Sequence, residues 1–160
     1  MPDFHASWTL SRSRFLAEYE GLTHEQLNWR IQPGTLTLAE AALHVAGVEV
    51  KFGSAMLSLE PEGELARILS AGTDGVVNDK PFPYSVEELT PEFVADALAQ
   101  SKAVVEPVLL DPNTERREVT MISALGPVIT GEGAMARLGF HSAYHQGQAY
   151  LIRHAPGFPQ

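Results

Sequence analysis

A four-helix bundle is the fold class that this sequence predicts, with a long crossover between its second and third helices. Apolar residues recur at alternating steps of three and four in four long segments, as on the buried face of an amphipathic helix. The second and third segments are separated by residues 60–89, which are rich in proline and glycine and too numerous for an antiparallel hairpin. We therefore expect an all-α protein whose second and third helices run in similar directions.

The first helix is expected from about Asp3, which can cap it, to Glu20, where a glycine ends it. Its three-four seam consists of Phe4, Trp8, Ser11, Phe15 and Leu22. Thr23 and Gln26 then have the form of a capping box, which predicts a short helical turn.

The second long helix has the clearest start. Thr37 and Glu40 form another capping box, and the apolar pattern continues to about Leu59, just before Pro61. His44 therefore lies near the middle of this helix, among small and aliphatic neighbours that let another helix approach closely.

The crossover at 60–89 is expected to contain one helical turn at 64–69. The third long helix follows, with Thr90 as its cap and Pro91 at its first position, and it should end before Pro107.

The segment before the last helix leaves two alternatives open. Residues 119–122 and 127–130 could pair as a short β ribbon, or they could form an ordered loop. Thr130 then caps the last helix, which should run from about Glu132 to His154.

Composition restricts the function. The 160 residues, 44% of them apolar, predict one domain spanning 1–160. The 11 basic and 20 acidic side chains give a net charge of 11 − 20 = −9, so we expect no nucleic-acid partner.

The sequence contains no cysteine, so any metal must be held by nitrogen and oxygen. The sequence has neither a signal-peptide pattern nor a long apolar run, which predicts a cytoplasmic protein that does not bind membranes.

His141 and His145 are the most informative residues for function. They are one helical turn apart, so both imidazoles project from the same face and can share a metal ion. The seam that contains them is Leu138, His141, His145, Gln148 and Ile152. With His44 they would form a three-imidazole site, which suits Zn, Ni, Fe, Co or Cu. The alternative is that all three are core histidines satisfied by hydrogen bonds.

Other polar residues near this motif have two interpretations each. Zinc peptidases carry a glutamate directly after the first histidine, whereas Ser142 stands there in this chain, which argues against that mechanism. Glu40, one turn before His44, could orient an imidazole, although its capping role explains it better. Gln148 could support His145 or be an ordinary buried amide.

The remaining histidines and aromatic residues are weaker candidates. His5, Trp8 and Tyr19 could line the mouth of a pocket, but aromatic residues at helical spacing are more often core residues. His24 and His154 are expected to be exposed to solvent.

The chain resembles the DinB-like superfamily, which includes the YfiT-type proteins, over nearly its whole length. The elements that carry the resemblance are the Gly-Leu-Thr-His-Glu-Gln-Leu stretch at 21–27 followed by Pro33, the segment 38–44 and the His-Ser-Ala-Tyr-His-Gln-Gly-Gln motif at 141–148. The resemblance implies a bundle, frequently a homodimer, in which His44, His141 and His145 bind one divalent metal, often nickel or zinc.

The resemblance also implies a type of chemistry. Family members with an assigned activity are similar to metal-dependent thiol S-transferases or isomerases that use low-molecular-weight thiols. This chain departs from the more usual family pattern of an extra histidine and a basic residue around the pair, because Tyr144 and Gln146 flank His145.

Two classes of function therefore remain open. In the first, the protein is a metal-dependent enzyme, a transferase or a hydrolase, acting on a small molecule such as a low-molecular-weight thiol. In the second, it is a non-catalytic metal-binding or stress-associated protein in which the metal is structural. An open coordination position under a pocket favours the first class, and a closed site favours the second.

Overall fold

The computed structural model describes residues 4–160, and within this range the chain forms helices and one two-stranded ribbon. The elements are α1 (His5–Ala17), α2 (His24–Asn28), α3 (Leu38–Leu57), α4 (Gly63–Ala71), α5 (Pro91–Leu110), α6 (Thr114–Glu118), β1 (Thr120–Ile122), β2 (Val128–Thr130) and α7 (Gly131–Arg153). The predicted all-α class is confirmed, with α1, α3, α5 and α7 as the four long helices. No helix in the described range is long and apolar enough to cross a bilayer.

The helices α3 and α5 run in the same direction, as the long crossover predicted. Glu49 of α3 accepts a hydrogen bond from Ser101 of α5 at 2.6 Å. One turn further along both helices, Gly53 faces Val104, and a Cβ on Gly53 would lie 2.9 Å from the Val104 side chain. Increasing residue number in α3 thus corresponds to increasing residue number in α5.

The helix α1 runs against α5. His5, at the start of α1, lies 3.6 Å from the Glu106 carboxylate near the end of α5. Arg12, two turns further along α1, donates a hydrogen bond to the carbonyl of Leu98, which lies earlier in α5. The pair α3 and α5 therefore runs opposite to α1.

The helix α7 runs in the same direction as α1 and therefore opposite to α3. Near the start of α1, Ser7 packs so closely against Gly139 that a Cβ there would lie 2.9 Å from its hydroxyl. Just beyond the end of α1, Glu18 accepts a hydrogen bond from Gln146 at 3.0 Å. The helices α3 and α7 are therefore antiparallel. Increasing residue number in α3 corresponds to decreasing residue number in α7.

A buried carboxylate connects three of the long helices. Glu49, only 1% exposed, accepts hydrogen bonds from Trp8 Nε1 and Arg12 Nε, both at 2.9 Å, as well as from Ser101. The Arg12 guanidinium also reaches the Leu98 carbonyl. Every charged group in this network has a partner of opposite charge or a hydrogen-bonding partner, so its burial is tolerated.

Two predicted ends of long helices were wrong. The last turn of α3 ends at Leu57, where Ser58 adopts a left-handed conformation, and not at Leu59. The helix α5 continues through Pro107 to Leu110, although proline has no N–H to donate. Residues Val108 and Leu109 are fully buried, and their burial outweighs the loss of one helical hydrogen bond.

The first helix is also shorter than predicted. It begins at His5 and ends at Ala17, while the chain as far as Glu20 forms turns. The predicted cap Asp3 lies outside the described residues. Leu22, placed on the helical seam by its spacing, is buried in the loop that follows the helix.

The connections contain more regular structure than the sequence predicted. The turn expected at 64–69 is part of the nine-residue helix α4, whose Ile68 and Ala71 are fully buried. The short helix α6, capped by Asn113, was not predicted. Of the two alternatives for the segment before α7, the ribbon is correct: β1 and β2 pair antiparallel with Thr120 opposite Thr130.

The other predicted capping residues are confirmed. Thr23 and Gln26, and likewise Thr37 and Glu40, form reciprocal capping boxes at the starts of α2 and α3. Thr130 accepts a hydrogen bond from the backbone of Gly133 at the start of α7. These caps fix where α3 and α7 begin, and with that the positions of the histidines along the two helices.

Candidate metal centre

Three histidines from two antiparallel helices meet at one point in the bundle. His44 lies in the middle of α3, and His141 and His145 occupy successive turns of α7. The Nε2 atom of His141 is 3.1 Å from Nε2 of His44 and 3.2 Å from Nε2 of His145. The structure therefore brings together all three histidines that the sequence predicted, and we refer to them as the histidine cluster.

The separations within the histidine cluster match those of ligands around one metal ion. With zinc–nitrogen bonds of about 2.0–2.1 Å and tetrahedral angles, two ligand nitrogens lie about 3.3–3.4 Å apart. Hydrogen bonds alone satisfy the cluster less well, because the single Nε2–H of a neutral His141 points at only one of its two neighbours. A cation between the three nitrogens satisfies all three lone pairs at once.

Burial keeps the cluster in the protonation state that metal binding requires. It lowers the pKa of His141 to about 2, with further lowering by the neighbouring His145 and His44. Burial likewise lowers the pKa of His44 to about 4, and burial together with His44 lowers the pKa of His145 to about 4. All three imidazoles are therefore neutral at pH 7, and each has a lone pair available for a metal.

Polar groups of the protein lie near two of these rings. His44 Nδ1 and His145 Nδ1 are buried without a hydrogen bond of normal geometry. The backbone carbonyls of Ala71 and Gly72 nevertheless lie close enough to His44 to oppose the lowering of its pKa, and the Gln148 side chain does the same for His145. With a metal on Nε2, these groups can accept the Nδ1–H of each ring and orient it.

A cleft of about 870 Å³ opens over the histidine cluster. Its walls are mostly apolar and include Val48, Phe52, Val76, Leu125, Phe140 and Ile152. The protein ligands thus occupy one side of the candidate metal position, and a small molecule can approach from the cleft.

Of the secondary candidates, only Gln148 lies at the cleft. Glu40 accepts a hydrogen bond from the Thr37 backbone N–H at 2.8 Å and forms an ion pair with Arg30 at 2.7 Å, so its capping role is confirmed. Trp8 is a core residue bonded to Glu49 and does not line the cleft.

The other aromatic and histidine candidates lie elsewhere. Tyr19 is packed at a smaller cavity on another face of the bundle, and His5 lies beside Glu106. His24 and His154 are exposed, as predicted. His24 contacts the Val86 carbonyl, and His154 stacks on Tyr150.

Two basic residues in the cleft were not found from the sequence. Lys51 and Arg137 both line it, and both have the spacing that could have revealed them. Lys51 follows His44 by seven residues and Arg137 precedes His141 by four, so each lies on the same helical face as its histidine.

The fold and the site define a class of protein: helical bundles in which histidines of two antiparallel helices meet beneath a cleft. The family model of the DinB superfamily matches residues 7–149, and the chain therefore belongs to the DinB superfamily. A crystal structure described as a conserved protein of a locus from Enterococcus faecalis is similar, with a TM-score of 0.68 and 16% identity. That similarity covers 94% of this chain and 92% of the other, and it shows the fold alone. A comparison with curated proteins finds no match.

Proposed function

We propose that the protein is a metal-dependent enzyme in which His44, His141 and His145 hold one divalent ion, nickel or zinc. The observation that carries the proposal is the convergence of three neutral imidazole nitrogens beneath an open cleft. Three nitrogen ligands leave a coordination position for a small molecule, as in catalytic sites. Nitrogen ligands suit both metals.

We further propose a low-molecular-weight thiol as the molecule that enters the cleft, and S-transfer as the reaction. A metal ion held by His44, His141 and His145 would lower the pKa of a bound thiol, so that the thiol would be a thiolate at neutral pH. The thiolate sulfur attacks an electrophilic carbon of a second substrate, the new S–C bond forms as the bond to the leaving group breaks, and the leaving group departs with the electron pair. The thiol proton is released to solvent.

The residues of the chain contribute binding and exclusion of water. The neutral cluster would offer its lone pairs to the ion, and the polar groups near His44 and His145 could orient the two rings. The apolar walls shield the sulfur from water and make it a stronger nucleophile.

Among the described residues, the cleft lacks a carboxylate general base of the kind that zinc peptidases use for hydrolysis. No aspartate or glutamate of the described chain lines it, so no carboxylate there can act as a general base toward water. A thiolate needs no such base once its proton has been lost.

The non-catalytic alternative also has an observation in its favour. The ligands come from segments 97 residues apart, so an ion held by them would tie α3 to α7 and stabilise the fold. The openness of the site is the reason to prefer an enzyme, since an ion with only a structural role usually has all its ligands from the protein.

The first test is metal content. We expect untagged protein, purified without added metal, to contain about one equivalent of nickel or zinc. His145→Ala should contain little, and the matched control His154→Ala, which removes an exposed histidine just after α7, should equal the parent. A parent that neither contains nor takes up metal would overturn the proposal.

The second test concerns the reaction. Loading the protein with Co²⁺ and adding a small thiol should produce a sulfur-to-cobalt charge-transfer absorption band. The loaded protein should then accelerate the reaction of the thiol with an electrophile such as 1-chloro-2,4-dinitrobenzene. If metal is bound and no thiol reaches it, thiol transfer is excluded and the structural-metal alternative gains support.

A further inference from the structure

The charge of the cleft is opposite to that of the chain. The protein has a net charge of −9, yet the charged side chains lining the cleft are those of Lys51 and Arg137. None of the acidic side chains in the described range lines it. Two cations without a counter-ion, in a cleft with mostly apolar walls, are costly to maintain and attract an anionic ligand.

Both cations lie on the same side of the histidine cluster. Lys51 is two turns after His44 in α3, a rise of about 10 Å, and Arg137 is one turn before His141 in α7, a rise of about 6 Å. Because α3 and α7 are antiparallel, these two displacements point toward the same end of the cleft. That end is closed by the turn of the ribbon, which contributes Ser123 and Leu125.

Both cations have N–H groups that are free to bind a ligand. Among the residues that the structure describes, Lys51 has no hydrogen bond or ion pair, and burial lowers the pKa of its ammonium. Arg137 donates one hydrogen bond, from Nη1 to Ser123 Oγ at 2.7 Å, which holds the guanidinium against the ribbon. Its remaining N–H groups are available to a ligand.

We propose that the substrate carries a carboxylate, bound by Lys51 and Arg137, while its thiol sulfur reaches the histidine cluster. This inference rests on the proposed function for the sulfur end and adds the chemical class of the other end. The ligand is an elongated thiol with an apolar middle, which packs against Val48, Phe52 and Leu125, and a terminal carboxylate.

A carboxylate fits this place better than a phosphate. Lys51 and Arg137 both lie inside long helices, where the backbone N–H groups are already bonded within the helix. Phosphate sites normally use free backbone N–H groups at a helix start or a glycine-rich loop. Here the donors are two side chains: the guanidinium fork can bind a carboxylate through two parallel hydrogen bonds, and the ammonium adds a point charge.

The test compares two probes that differ only at one end. We would titrate Co²⁺-loaded protein with 6-mercaptohexanoate and with 6-mercaptohexan-1-ol, and follow the sulfur-to-cobalt absorption. The parent should bind the carboxylate at least tenfold more tightly than the alcohol. Lys51→Gln and Arg137→Gln should each reduce this preference at least fivefold and leave affinity for the alcohol nearly unchanged. Added salt should weaken binding of the carboxylate alone.

The matched control is Arg14→Gln, which removes one exposed cation of α1 and makes the same change in net charge. It should keep the preference of the parent. Equal affinity of the parent for both probes, or an equal loss of preference in Arg14→Gln, would overturn the carboxylate proposal.

Failure of the proposed function gives a different pattern. If the parent takes up no metal, the absorption band never appears, and the carboxylate site is then tested on metal-free protein. Hexanoate should shift the NMR signals of residues around Lys51 and Arg137, whereas hexan-1-ol should shift them less. No difference between these two ligands in the parent would overturn the carboxylate site by itself.

Discussion

At the scale of single residues, burial decides the chemistry of the histidine cluster. An exposed imidazole is partly protonated just below neutral pH, whereas burial holds the pKa of His44 and His145 near 4 and that of His141 near 2. A proton therefore competes poorly with a metal ion for these nitrogens. The site is expected to retain metal at pH values at which an exposed histidine pair would release it.

The same pKa values predict how the stability of metal-free protein depends on pH. As pH falls below 6.5, the unfolded chain takes up protons on these histidines before the folded chain does, so the free energy of unfolding decreases. The decrease is up to about 1.4 kcal/mol per pH unit for each histidine between pH 6 and pH 4. Urea unfolding at several pH values measures it.

A variant separates the cluster from other titrating groups. His141→Gln should reduce the slope of the free energy of unfolding against pH by the contribution of one histidine. Equal slopes in the parent and in His141→Gln would contradict the assignment.

A second prediction concerns the buried carboxylate of Glu49. Glu49→Gln keeps the size of the side chain but leaves the Arg12 guanidinium buried without its counter-ion. We expect a loss of about 3–5 kcal/mol in the free energy of unfolding, measured by urea titration. The control Glu132→Gln removes an exposed carboxylate paired with Arg117 and should cost less than about 1 kcal/mol. Similar losses in both variants would be the contrary result.

Residue patterns predicted the cluster but not its surroundings. The helical spacing of His141 and His145 and the position of His44 suggested a shared site, and the resemblance to the family favoured it over three separate core histidines. The sequence did not indicate Lys51 as a site residue, because a lysine on a helix is normally exposed to solvent. Its place in the cleft depends on how α7 packs against α3. The partners of Glu49 come from α1 and α5, and no local pattern in α3 indicates them.

At the scale of elements, the close contact between α3 and α4 supports the cluster. Gly47 and Gly72 let the two backbones touch, and a Cβ on Gly47 would overlap the Gly72 backbone nitrogen. This contact brings the carbonyls of Ala71 and Gly72 to His44. The helix of the crossover therefore acts on the orientation of one proposed metal ligand.

Substitution of Gly47 tests this contact. Gly47→Ala should push α4 away, lower the free energy of unfolding by about 1–3 kcal/mol and weaken metal affinity. Gly147→Ala is the matched control, because its Cβ meets nothing within 4 Å and alanine favours a helix by about 0.5–1 kcal/mol over glycine. Urea unfolding and a competitive metal titration measure both effects. Unchanged metal affinity in a folded Gly47→Ala variant would contradict the role of α4.

Local signals predicted where helices begin better than where they end. Thr37, Thr90 and Thr130 all cap the helices that they were expected to cap, because capping depends on a few adjacent residues. The end of α5 depended on tertiary burial of Val108 and Leu109, which overrode the local effect of Pro107. The helix α6 is only five residues long and has no buried residue, so its sequence lacks an apolar pattern to detect.

At the scale of the whole molecule, we predict that the 17.4-kDa chain forms a homodimer, as its resemblance to the family implies. Several apolar side chains around the cleft and along the outer face of α7 are more than half exposed, among them Phe140, Tyr144 and Leu151. Sedimentation equilibrium should therefore give twice the chain mass, about 35 kDa. A single species at the chain mass at micromolar concentration would contradict the prediction.

The separation of the histidines along the chain has a consequence for folding kinetics. His44 and His141 are 97 residues apart in the sequence, so we expect their contact to form only after most of the chain has folded. Interactions that form after the rate-limiting step slow unfolding and leave the folding rate almost unchanged. A metal ion held by this pair would thus prolong the lifetime of molecules that have already folded, and their half-life against proteolysis would follow the supply of metal in the surroundings.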